Sequence, residues 1–72
     1  MKNYIVYTGN QMLRRFDTAA EGIAWADKTA QDWANMVAPD RIPVYRVCYN
    51  GNVSELIYDT KNGFAKGHAV GV

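Results

Sequence analysis

Between Thr18 and Pro39 the chain carries a one-sided helical pattern, and that sidedness dictates what the remaining residues must supply. Thr18 followed three residues later by Glu21 reads as a capping box, in which each side chain accepts from an otherwise unsatisfied backbone donor. Ala19, Ile23, Ala26, Ala30, Trp33 and Val37 then recur at alternating spacings of four and three, which is one helical face. Pro39 ends the run, so the predicted helix covers about 19–38. A stripe built mostly of alanine lets a helix lie close against a sheet, and the flanking segments have the composition to form one.

Residues 3–8 are aromatic and β-branched, Gly9-Asn10 is a turn dipeptide, and an apolar pattern resumes over 12–16. This is a hairpin with a two-residue loop, glycine taking the positive-φ position of a type II′ turn. It sets Tyr7 opposite Met12, Val6 opposite Leu13, Ile5 opposite Arg14 and Tyr4 opposite Arg15. Beyond the helix, 44–49 and 53–59 flank Asn50-Gly51, the strongest short hairpin signal in the chain. A two-residue loop there pairs Cys48 with Val53, Arg46 with Glu55, Tyr45 with Leu56 and Val44 with Ile57, and the opposite charges of Arg46 and Glu55 favour that register.

The expected architecture is α+β: ββαββ over residues 1–60, a four-stranded antiparallel sheet with one helix on one face. Residues 61–72 are glycine-rich and small, a loosely held tail in which Phe64 is the available anchor. A chain of 72 residues and 8.1 kDa has room for one small core. Both hairpins nevertheless carry apolar groups on both faces. Tyr4, Val6 and Leu13 point one way and Ile5, Tyr7, Met12 and Phe16 the other; Tyr45, Val47 and Leu56 oppose Val44, Cys48, Val53 and Ile57. One helix covers one face, so an aromatic and aliphatic surface edged with arginine is left for an interface.

Charge is segregated along the chain. Lys2, Arg14 and Arg15 stand without an acid in the first hairpin, whereas Asp17, Glu21, Asp27, Asp32 and Asp40 dominate the helical region against a single Lys28. The net charge of +1 gives too few cations for strong non-specific nucleic-acid binding and too little negative charge for a nucleic-acid mimic. Tyr4, Tyr7, Tyr45 and Tyr49 beside Arg14, Arg15 and Arg46 only partly meet the needs of a stacking platform for single strands.

Catalytic chemistry finds little support. Cys48 and His68 are the single cysteine and histidine, too few for a zinc site, and a cysteine inside an apolar stretch reads as a small buried hydrophobe. Ser54, the single serine, lies in a predicted strand without a nucleophile elbow. Gly63, Gly67 and Gly71 are evenly spaced but precede no strand-to-helix junction that could cradle phosphate. The expectation is a non-enzyme without cofactor or metal. No apolar run reaches membrane-span length and the N-terminus lacks a signal-peptide core, so a cytoplasmic, non-membrane location is expected, and Asn52-Val53-Ser54 reads as a chance sequon.

The surface candidates follow from these patterns. Trp25 lies on the flank of the helical stripe with Thr29 and Met36, and tryptophan at a half-buried edge reads either as rim packing or as a binding hot spot. The expected interface comprises Tyr7, Arg14, Arg15, Trp25, Met36, Tyr45 and Arg46; Glu21, Asp27 and Asp32 form a solvated helix face or an acidic docking face. The run from Arg15 to Ala26, RFDTAAEGIAWA, set between two short hairpins, resembles a recurrent pattern in small phage and mobile-element accessory proteins. That class includes anti-CRISPR proteins and other inhibitors of host defence. A fainter likeness is to the hairpin and helix that open the HicB antitoxins, whose proline- and glycine-containing second strand has no counterpart in residues 11–16. The resemblance implies an inhibitor acting by occlusion of a host protein or complex; the uncovered sheet face adds self-association as a homodimer, and the aromatic and arginine residues make a single-stranded nucleic-acid binder the alternative.

Overall fold

The computed structural model describes residues 3–50 and 55–65. β1 (Tyr4–Thr8) and β2 (Gln11–Phe16) form the first hairpin, α1 (Ala19–Ala34) follows, and a 3-10 turn at Pro39–Arg41 leads to β3 (Tyr45–Tyr49), β4 (Leu56–Asp59) and β5 (Gly63–Phe64). The sheet is antiparallel with strand order β2-β1-β3-β4-β5. The α+β class and the helix-on-sheet plan thus hold, with five strands among the described residues where four were expected. β5 falls in the segment read as a tail; residues 66–72 lie outside the described residues.

Strand order follows from composition. β1 and β3 are the most apolar strands and pair centrally, burying Ile5, Val6, Tyr45, Val47 and Cys48. β2, with Gln11, Arg14 and Arg15, takes the edge and has no buried residue, as suits a strand whose outer backbone meets water.

Two bulges overturn the expected registers. Tyr7 faces Met12, but the shift between Val6 and Tyr7 leaves Leu13 as the extra residue, so Val6 meets Arg14, Ile5 meets Arg15 and Tyr4 meets Phe16. Leu13 and Phe16 both then pack towards the helix. In the second hairpin Arg46 pairs with Asp59, not Glu55, and Cys48 pairs with Leu56. Val47 faces Tyr58, and Ile57 is the bulged residue that enters the core. The register of a two-residue loop at Asn50-Gly51 is therefore overturned, since Leu56 and not Val53 stands opposite Cys48, although Asn50 keeps the left-handed φ of +55° that the turn signal implies. The expected partner Val53, and Ser54 of the predicted strand, lie outside the described residues. Gly9 has φ +58° while Asn10 does not enter the left-handed region, the glycine-first arrangement expected of the loop.

α1 begins where Thr18 accepts the Glu21 N–H at 3.2 Å; the Glu21 carboxylate accepts the Thr18 hydroxyl rather than its N–H. The helix ends four residues earlier than the stripe implied, because Asn35, Met36 and Val37 turn back to donate to the Asp32 and Trp33 carbonyls. Ala19, Gly22 and Ala26 form the buried contact line over Val6, Val47 and Ile57. Gly22 is what allows the approach: a Cβ there would lie 3.2 Å from Val47 Cγ1 and 3.5 Å from Phe16 Cδ2. The covered face is the one with Tyr4, Val6, Tyr45, Val47 and Tyr58, a choice that the two apolar faces of each hairpin left open.

Candidate interaction surface

The bulge in β2 sets the geometry of the most distinctive surface feature. By moving Arg14 opposite Val6, it turns that side chain to the helix side, where its guanidinium lies 5.7 Å from the Phe16 ring centroid and 5.8 Å from that of Trp25. Phe16 and Trp25 are themselves 6.1 Å apart and tilted, and Trp25 meets Tyr45 edge-on at 6.0 Å. The Tyr45 hydroxyl in turn accepts the Trp33 indole N–H at 2.8 Å. An aromatic series thus runs from the core to the β2 edge, capped by an exposed arginine. Cation–π contact holds the guanidinium plane, and among the described residues no carboxylate or carbonyl takes its N–H groups.

The expected interface residues do not form one patch. Arg14 and Trp25 share this edge, but Tyr45 is only 5% exposed and belongs to the core, where it offers no surface. Arg15, next along the strand, points to the opposite sheet face with Ile5. Tyr7 and Arg46 are paired in register on that same face, beside Met12, which is 48% exposed. Arg46 is partly engaged, donating from Nη2 to the Gly9 carbonyl and so bracing the first turn. Met36 is 68% exposed but lies beyond the helix end, so the angular projection that put it on the Trp25 flank stops short of it.

The acidic candidates are similarly divided. Glu21 serves the helix start, Asp27 accepts the Tyr58 hydroxyl at 2.6 Å and ties α1 to β4, and Asp32 is exposed in the last helical turn. The bond to Asp27, with burial and the negative charge of Asp27 and Asp59, pushes the Tyr58 phenol up to about 12. Asp59 is 8% exposed and accepts the backbone N–H groups of Lys61, at 2.9 Å, and Asn62, organising the turn into β5. Burial pushes the Cys48 thiol above its ordinary value, Arg46 opposing the effect. The tyrosine tie has no local sequence signature, whereas the aspartate-centred turn is marked by the run Asp59-Thr60-Lys61-Asn62 before Gly63.

A cleft of about 570 Å³ opens between the C-terminal half of α1 and the approach to β3. Ala30 and Ala34 line it from the helix, with Ile42 and Val44 opposite; its charged lining groups are Asp27, Asp40 and Lys61. Among the described residues no group of three or more His, Cys, Asp or Glu side chains is placed to hold a metal ion, and no helix is long and apolar enough to cross a membrane. No protein-family model, curated protein or solved structure matches this chain, so the functional reading stands on its own residues.

Proposed function

We propose that the chain is a small non-enzymatic interaction module that acts by covering a surface of a protein partner, the mode of phage-type accessory inhibitors. One observation carries this reading: Arg14 is held over Phe16 and Trp25 at an exposed strand edge with its N–H fork unclaimed among the described residues. An arginine whose plane is already ordered loses less freedom on meeting a carboxylate, and tryptophan with arginine is the composition of binding hot spots. The anchors are accordingly Arg14 and Trp25, with Arg15 and Met12 exposed on the far face.

The test is a comparison of proteins captured from a host lysate by the wild-type chain, Arg14→Ala and Arg14→Lys, each checked for an unchanged far-ultraviolet spectrum. A partner held by wild type, lost by Arg14→Ala and weakened by Arg14→Lys supports the reading. Identical capture by all three overturns it.

A second reading rests on the pairing of Tyr7 with Arg46 on the face that also carries Arg15. An aromatic ring beside two arginines suits single-stranded nucleic acid. It requires an oligonucleotide affinity that falls steeply with salt.

A further inference from the structure

The cleft beside α1 has walls and charge of different character. Ala30, Ala34, Ile42 and Val44 give it apolar sides, and its volume of about 570 Å³ is in the range of sites that enclose a side chain or small ligand. Two carboxylates, Asp27 and Asp40, line it against one ammonium, Lys61. Asp27 is fixed in place by the Tyr58 hydroxyl, which occupies Oδ1. The last turn of α1 adds to the negative potential, since it holds Asp32 and no basic residue to offset the carbonyl end of the helix.

We infer that this cleft receives a lysine or arginine side chain presented on an apolar segment of a protein partner. The aliphatic stem lies along the alanine and branched side chains, and the cationic head meets Asp27 and Asp40. An inorganic cation does not fit the donor set, which lacks a cluster of ligating groups among the described residues. The inference rests on the reading of the chain as a protein-binding module and adds a second contact, of opposite charge preference, to the Arg14 edge.

The experiment uses the full chain, isotope-labelled, titrated with the capped tripeptide acetyl-Val-Lys-Val-amide and with its neutral counterpart carrying norleucine in place of lysine. Amide shifts are expected at Asp27, Ala30, Ala34 and Val44 with the lysine peptide. Affinity is expected to fall roughly threefold with norleucine or in Asp40→Asn, and to rise by a similar factor in Lys61→Gln, the scale of a solvent-exposed ion pair. Ala34→Trp, which fills the cleft from an exposed helix position, is expected to abolish the shifts while leaving the helical spectrum unchanged. Equal binding of the two peptides, or no shifts at these residues, overturns the inference. So do shifts that appear with protein concentration alone, which make a second copy the occupant. Partner capture that depends on Arg14 but not on Ala34→Trp removes the cleft alone, whereas capture indifferent to Arg14 removes the module reading whatever the cleft binds.

Discussion

The Tyr58 hydroxyl donates to Asp27 Oδ1 at 2.6 Å, joining β4 to α1 across 31 residues of sequence. The bond persists only while the phenol keeps its proton, and the folded-state value of about 12 lies above the ordinary 10. A raised value stabilises the fold below pH 10 and is lost as pH rises through 10 to 12, because the unfolded chain releases the proton first. Urea midpoints of the wild type are therefore expected to fall across that window more steeply than those of Tyr58→Phe. At neutral pH, Tyr58→Phe is expected to cost about 1 kcal/mol or less, the net worth of an accessible hydrogen bond.

Gly22 is buried on the helix face that meets Val47 and Phe16. Gly22→Val sets branched atoms against Val47 and Phe16, and helix propensity cannot offset that overlap. A loss of about 1–3 kcal/mol is expected in chemical denaturation. Gly22→Ala, needing only a small shift of Val47 and gaining propensity, is expected to differ from the wild type by about 1 kcal/mol or less.

Asp59 organises the turn into β5 through two backbone donors. Asp59→Ala leaves both N–H groups without that acceptor and is expected to cost about 1–3 kcal/mol, with faster hydrogen exchange at Lys61 and Asn62. Asp59→Asn retains a side-chain oxygen and should recover part of the loss. Equal exchange in Asp59→Ala and Asp59→Asn would count against a specific turn role.

Cys48 is fully buried and its thiol is shifted towards the protonated form. Reaction with a thiol-specific reagent at pH 8 should be slow in the folded chain and accelerate through the urea transition. Rapid modification without denaturant would contradict the burial of Cys48 against its strand neighbours.

Legibility in the sequence varied with the range of the interaction. The Thr18 cap, the alanine-lined face of α1 and the glycine-first turn at Gly9 follow from contacts within a few residues, and all three occur in the fold. The stripe overran the helix at Val37 because apolar spacing carries no information about where backbone donors turn back, here at Asn35 to Val37. Arg14 and Trp25 were legible as surface candidates by type. Their contact was not, since it depends on the bulge at Leu13.

Periodicity, capping and turn chemistry specify the element types and most of the inward helical face. The tertiary structure decided the registers, the covered sheet face and the grouping of surface residues. A one-residue bulge reverses which side chains share a face, and Leu13 and Ile57 become the extra residues because each then joins the same core as Val6 and Val47. That decision belongs to packing between distant segments, which no local pattern encodes.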